Sequence, residues 1–242
     1  MHSISILIST KNRFDDLKEC VVSLLAQSIK PDEIILVDAS DTDDSREMVE
    51  RLLTNTGVSL TYHRQDVIAG KIRKTMAWNR AVKMAQGDII VFLDDDVVLE
   101  KDYLSQLLNA YRENALPGVV GVMGYTKNPH SDKQKSPVMS SLKKSLYKLF
   151  LLYRDDGGGR MQPSGFPAYS SAKDAIIPVE IMPTCNMSVK KEIFGELAFD
   201  EWFHGYSYQE DDDFTYRVSR KYRFLYTPFA ELTHKTSPAA RD

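Results

Sequence analysis

Three short runs dominated by Ile, Leu and Val, at residues 4–8, 34–37 and 89–93, each end abruptly on polar side chains. Runs of this length and composition read as buried strands rather than helices. After the first, Leu17, Cys20, Val21, Leu24 and Leu25 recur at helical spacing, and after the second Met48, Val49, Leu52 and Leu53 do the same within 44–53. A third strand is expected at 59–63 and a helix at 72–84, which Gly87 closes before the 89–93 run. Strands alternating with helices predict an α/β fold with a mostly parallel, Rossmann-like sheet and helices on both faces. Ligands in such sheets bind beyond the carboxyl ends of the strands. The loops at 10–13, 38–43 and 94–96 are therefore expected on one edge.

The last of these loops has the sharpest chemistry. Ile89-Ile90-Val91-Phe92-Leu93 runs straight into Asp94-Asp95-Asp96. Carboxylates repel phosphate unless a cation lies between them, and hard divalent cations such as Mg²⁺ or Mn²⁺ prefer oxygen ligands. An Asp-X-Asp at a strand's carboxyl end thus suits a metal that bridges protein and diphosphate. The same acids also suit the cap of a following helix, expected at about 100–113, although a cap uses one of them.

Composition bounds the rest. The chain of 242 residues, 43% hydrophobic and 27% charged, is that of an ordinary soluble domain. A single domain over 1–242 is expected, with 1–96 as a ligand-binding half and 97–242 as a second half. Eleven of the 34 acids sit in 38–44, 94–96 and 210–213, so the small net charge of -3 conceals local acidity in otherwise basic surroundings. No Lys/Arg stripe with interleaved aromatics is present, which argues against nucleic acid as a partner. Cys20 and Cys185 are far apart and fit neither a disulfide framework nor a zinc spacing. No signal-peptide core or membrane-length apolar run is found, so a reducing cytosol is the expected compartment.

The second half is less regular. A strand is expected at 119–125 and a polar loop at 126–137, with Pro129 and Pro137 as breakers. Over 138–153, Met139, Leu142, Leu146, Leu149, Phe150 and Tyr153 share a helical face, with Lys143, Lys144 and Lys148 elsewhere. Such a helix packs on a core with a solvated lysine face, or touches an anionic membrane surface as a peripheral contact. Residues 154–169, with Gly157-Gly158-Gly159, read as a surface loop; neither these glycines nor Gly70-Lys71 complete a phosphate-binding loop.

An ordered set of motifs resembles the family 2 glycosyltransferases with the GT-A fold. It comprises Ile8-Ser9-Thr10-Lys11-Asn12-Arg13, Val37-Asp38-Ala39-Ser40-Asp41-Thr42-Asp43, Ala77-Trp78-Asn79-Arg80-Ala81 through Gly87-Asp88, and Phe92-Leu93-Asp94-Asp95-Asp96. Further on come Thr184-Cys185-Asn186-Met187-Ser188, Phe199-Asp200-Glu201, Glu210-Asp211-Asp212-Asp213-Phe214 with Arg217, and Pro228 with His234. The resemblance implies a nucleotide-sugar donor, UDP-linked by preference, Mn²⁺ or Mg²⁺, and a carbohydrate or lipid-linked sugar acceptor in envelope polysaccharide or glycolipid synthesis. It implies that Asp38 receives the base, with Thr10, Asn12 and Arg13 lining the same pocket, while Asp41–Asp43 cap the next helix. Asp96, Asp94 and His234 are implied at the metal, and Asp94 or Asp95 at the ribose. Arg73 or Lys74 is implied at the diphosphate, a role a basic side chain can fill directly, although this chain carries Trp78 where relatives often carry Arg. Asp211 is implied as general base for an inverting transfer, with Asn186, Trp202 and Glu210 on the acceptor side. Phe203, Tyr206 and Tyr208 offer further aromatic surface there. Asp212 reads as a helix N-terminal acid, and Asp213 and Arg217 have the spacing of a local ion pair. Relatives often continue beyond the counterpart of His234 with segments that close over the ligands.

Two other readings compete. One is a catalytically silent nucleotide-sugar-binding module within a larger assembly, against which the acids at 210–213 count. The other is a nucleotidyltransferase, which usually opens with a Gly-rich loop where this chain has Ser9-Thr10-Lys11-Asn12-Arg13. Processive polysaccharide synthases carry membrane spans and a Gln-X-X-Arg-Trp motif that this chain lacks.

Overall fold

A computed structural model describes residues 2–65, 73–113, 116–127, 146, 150, 158–170, 172–203 and 209–237. The predicted alternation holds through the first half: β1 Ile4–Thr10, α1 Phe14–Leu25, β2 Glu33–Asp38, α2 Asp44–Leu53, β3 Ser59–Arg64, α3 Lys74–Met84 and β4 Ile89–Asp94. β3, β2, β1 and β4 lie side by side in that order, all parallel. Their register aligns Thr10 with Asp38 and Ser9 with Asp94, which puts the three polar loops on one edge of the sheet.

Beyond β4 the sheet changes character. β5 Val97–Leu99, α4 Tyr103–Glu113, β6 Val119–Lys127, β9 Ile177–Val179, β10 Met187–Lys190 and β11 Arg223–His234 extend it, and α5 Glu210–Ser219 packs on one face. β10 runs antiparallel between β4 and β6, β11 is parallel to β6, and β5 and β9 pair antiparallel with β11. The complete sheet is therefore mixed. The antiparallel β10 matters for the site because its start, not its end, meets the carboxyl end of β4: Met187 pairs with Phe92. Likewise β11 brings His234 opposite Val97, just past the triple aspartate.

The alternating faces of the strands build two cores. From β1, β2 and β4, Ile4, Ile6, Ile8, Ile34, Leu36, Ile89, Val91 and Leu93 face α1, α2 and α4. Leu7, Ile35, Val37, Ile90 and Phe92 face α3 and α5. These strands are apolar on both faces, as a sheet covered by helices on each side demands. The second core is aromatic: Phe199 stacks on Phe214 at 4.3 Å between ring centres and meets Trp78 at 5.0 Å. Gly87 is fixed by proximity, since a Cβ there would lie 2.7 Å from the Ser5 backbone nitrogen. It begins the approach to β4; α3 itself has already closed at Ala85.

Where residues 154–169 are described they form a small hairpin, β7 Arg160–Met161 with β8 Pro167–Ala168, rather than an irregular loop. The expected helix over 138–153 lies outside the described residues except for Leu146 and Phe150, both exposed. No helix among the described residues is long and apolar enough to cross a membrane.

Candidate active site

The three aspartates after Leu93 divide by burial. Asp95 and Asp96 are 3% and 1% exposed, whereas the Asp94 side chain keeps 27% of its surface. Asp95 turns inward to the loop after β1: Thr10 Oγ1 donates to it at 2.8 Å and Arg13 Nη1 at 2.9 Å. Burial raises its carboxyl to about 6, against the pull of Arg13 and Thr10. Both oxygens are thus engaged by the two residues expected to line a base pocket, and Asp95 acts on that loop rather than outward.

Asp96 is held by the C-terminal strand. Its Oδ2 accepts the Ser237 amide at 2.8 Å, and its Oδ1 lies 3.0 Å from His234 Nε2. That contact is close enough for an ion pair, and the buried Oδ1 keeps a second lone pair. Burial pushes the carboxyl up, but His234, the Ser237 amide and Arg13 outweigh it and the group titrates below the ordinary carboxylate value. His234 Nε2 is also 3.7 Å from Asp94 Oδ2. Asp94 and His234 come together with Cys185, whose sulfur and their ligand atoms all lie within 4.8 Å of one another. The residues fit a divalent cation: an Asp94 carboxylate oxygen, the His234 imidazole and the Cys185 sulfur cluster together, with a buried Asp96 oxygen beside the imidazole.

The Thr184–Asn186 3₁₀ turn links this cluster to the acids of α5. Thr184 N–H donates to Asp211 Oδ2 at 3.0 Å, and the Asp212 amide donates to Asp211 Oδ1 at 2.9 Å. Burial raises the Asp211 carboxyl, which makes it a stronger base, while these amides and Lys74 limit the rise. Burial and the neighbouring charges of Asp94 and Asp211 push the Cys185 thiol well up. Lys74 lies between the two acidic groups. Its Nζ is 3.7 Å from Glu210 Oε1 and 4.3 Å from the centre of the Trp78 ring. Burial works against its charge, yet Asp94, Glu210 and Asp211 together raise its pKa.

Several expected residues sit elsewhere. Arg73 is exposed at the start of α3, and the basic side chain that enters the acidic cluster is Lys74. Helical spacing explains this: Lys74 is one turn before Trp78 on the same face, so the cation stands over the ring that occupies the usual Arg position. Asn186, expected at the acceptor, is 0% exposed and both ends of its amide are bonded in the core. Its Oδ1 accepts from the Tyr103 hydroxyl at 2.6 Å and the Gly124 amide at 3.0 Å, and its Nδ2 donates to Thr126 Oγ1 at 2.8 Å. A core amide buried and bonded at both ends in this way is a structural tie. Asn12 cross-links loops: its side chain exchanges two hydrogen bonds with Asp41, at 2.8 and 3.0 Å. Asp38 is wholly buried, with Oδ1 accepting the Ser40 amide at 2.8 Å. The acids expected to cap α2 do not: Asp43 makes no side-chain cap and instead pairs with Arg64 at 2.9 Å.

Around α5, the predicted pair of Asp213 and Arg217 forms at 2.8 Å. Asp212 is more than a solvated helix-end acid, being 2% exposed and accepting from the Tyr169 hydroxyl at 2.9 Å. Trp202 is 76% exposed beside Phe203, while Tyr206 and Tyr208 lie outside the described residues. A separate groove of about 270 Å³, lined by Asn79, Lys83, Lys191 and Glu201 among others, holds none of the acidic cluster. Sequence reading passed over Cys185 as a metal-facing group because its partners come from β4 and β11, remote in the chain.

Comparison with known proteins agrees with this architecture. The model of glycosyl transferase family 2 matches residues 5–171. The chain belongs to that family. It is similar to the glycosyltransferase GlyG of Streptococcus pneumoniae, 25% identical over 81% of this chain and 59% of that protein. It is also similar to an Escherichia coli enzyme named UDP-Glc:alpha-D-GlcNAc-diphosphoundecaprenol beta-1,3-glucosyltransferase, 33% identical over 40% of this chain and 36% of that one. Among solved structures, the mannosyltransferase of Pyrobaculum calidifontis with GDP-Man and Mn²⁺ superposes with a TM-score of 0.64 at 19% identity, over 99% of this chain and 58% of that one. GalNAc-T7 with UDP, GalNAc and Mn²⁺ superposes with a TM-score of 0.68 at 14% identity, over 97% of this chain and 44% of that one. The family 2 chain described here thus has the GT-A glycosyltransferase fold, and spans less than two thirds of the length of these relatives.

Proposed function

We propose that the chain transfers a sugar from a nucleotide-sugar donor, UDP-linked by preference, to a hydroxyl of a carbohydrate or lipid-linked acceptor, with inversion and with a divalent cation. One observation carries the reading. A single three-residue turn holds Asp211 through the Thr184 amide and, one residue on, turns Cys185 toward Asp94 and His234. A carboxylate base and a cation cradle are therefore fixed relative to each other by adjacent residues.

In this reading Asp94 and His234, with Asp96 Oδ1 behind them, hold the cation, and Arg13 and Thr10 keep the loop around Asp95 in place. When bound, the cation neutralises charge that develops on the departing diphosphate. Lys74, seated over the Trp78 ring and paired with Glu210, adds a second positive charge on the same side. Asp211 takes the proton from the acceptor hydroxyl as that oxygen attacks the anomeric carbon. Its buried, raised carboxyl suits that task better than a solvated one. With attack opposite the leaving group, configuration inverts. The exposed Trp202 offers a stacking surface for an acceptor ring. The named activity of the Escherichia coli relative and the nucleotides in the structural neighbours support the donor and acceptor classes.

The test is transfer from a panel of UDP-, GDP-, dTDP- and CMP-sugars with Mn²⁺, read beside binding of each donor. Asp211→Asn is expected to lose about 10² to 10⁴ in rate with donor binding retained. Normal turnover by that variant refutes the assignment of the base.

A further inference from the structure

Cys185 is an uncommon neighbour for a site of hard ligands. Its sulfur shares a 4.8 Å cluster with a carboxylate oxygen of Asp94 and a ring nitrogen of His234, drawn from three separate elements. The thiol's own turn is rigidly held on both sides, by Thr184 to Asp211 and by the core amide of Asn186. A second feature points into the same place: the buried Asp96 Oδ1, 3.0 Å from His234 Nε2.

We propose that Asp94, Cys185 and His234 form a binding site for thiophilic divalent cations of the zinc class, filled without nucleotide and in competition with the Mn²⁺ or Mg²⁺ that serves transfer. The inference rests on the reading of this cluster as the cation site. Carboxylate, imidazole and thiolate are the ordinary zinc donors, and a tetrahedral ion at ~2.0–2.3 Å sets its ligands ~3.3–3.8 Å apart. His234 Nε2 and Asp94 Oδ2 already stand at 3.7 Å. From the 4.8 Å limit of the cluster, closure of no more than about 1.5 Å completes the triad. Asp96 Oδ1 or water supplies the fourth position. Ligation sends the thiol proton to solvent, a step that zinc-class ions drive and Mg²⁺ does not, because only the former bind sulfur strongly. A thiophilic ion so held spends the ligands that a metal–diphosphate needs. It therefore blocks donor binding instead of promoting it.

Cobalt titration of the nucleotide-free protein tests this directly, since a cobalt–thiolate bond gives a near-ultraviolet charge-transfer band. The band is expected in the wild type, retained in Cys20→Ala and absent in Cys185→Ser. Cys20 is the control because it is the other thiol, with its sulfur 3.7 Å from the Asp94 carbonyl oxygen but outside the triad. Zn²⁺ is expected to displace the cobalt and to bind Cys185→Ser at least about tenfold more weakly. No band in the wild type, or an unchanged band in Cys185→Ser, overturns the proposal. Donor binding with Mn²⁺, measured in parallel, separates the two readings. Mn²⁺-dependent donor binding by the wild type leaves the transfer site standing whatever cobalt shows, and its absence from a wild type that gives the cobalt band overturns the transfer reading alone.

Discussion

At the scale of single residues, the same motif yields side chains that face the ligand cleft and side chains that hold the cleft's walls. Asn186 illustrates the second kind. From sequence it resembles an acceptor-facing residue, but its amide ties α4, β6 and the 3₁₀ turn together from a fully buried position. Asn186→Ala strands the buried Tyr103 hydroxyl and Gly124 amide away from water. Each buried polar group left unsatisfied costs ~1–3 kcal/mol. The variant is therefore expected to lose roughly 3 kcal/mol or more in urea unfolding. An acceptor-contacting residue gives the opposite pattern, with a raised acceptor KM at unchanged stability. Sequence cannot separate these cases because a motif records that an Asn is present, whereas its burial depends on Tyr103 and Gly124, distant along the chain. Asp94, Asp95 and Asp96 make the same point: three identical neighbours, of which the pleat and the turn leave one partly open and close two.

At the scale of elements, α5 concentrates acids where a helix N-terminus favours them, yet packing changes their chemistry. Burial, with the charge of Asp211 beside it, raises Asp212 to about 7 from an ordinary value of 3.8. A carboxyl raised in the folded state holds more protons folded than unfolded, so stability falls as pH climbs from about 4 to about 7 and stays low above it. Asp212→Asn keeps an acceptor for the Tyr169 hydroxyl and removes the ionisation. It is expected to be more stable than the wild type at pH 8 and to show a flatter profile of melting temperature between pH 5 and 8. Equal slopes in both proteins count against the shift. The alternation up to β4, α2 included, was legible from sequence because apolar periodicity and buried runs report it locally, whereas the start of α5 was marked only by its acids. β11 was not, since Pro228 interrupts its pattern. The register against β6 slips between Tyr226 and Glu231, which is how a long strand accommodates a proline. β5 and β10 are too short for periodicity to mark them.

At the scale of the molecule, the cluster belongs to neither half of the chain. Asp94 and Lys74 come from 1–96, and Cys185, Asp211 and His234 from 97–242, meeting because antiparallel β10 and the end of β11 run back to the carboxyl edge of the parallel strands. That convergence is what sequence alone could place only through family resemblance, since strand order is set by contacts remote along the chain. It also makes ligand binding a property of the whole sheet. A nucleotide held through a cation by both halves stabilises only the state in which they are joined, by ~2.7 kcal/mol at a hundred times its Kd. For a domain of this size, that amounts to a rise of about 5–10 °C in melting temperature. UDP-sugar with Mn²⁺ is expected to produce such a rise as one cooperative transition, and excess EDTA to remove most of it. Because Asp38, Thr10 and Arg13 lie in the first half alone, a nucleotide bound only there would stabilise that half by itself. Calorimetry that resolves two transitions, with only one of them shifted by ligand, would show that the halves act separately and that the shared cation is not what couples them.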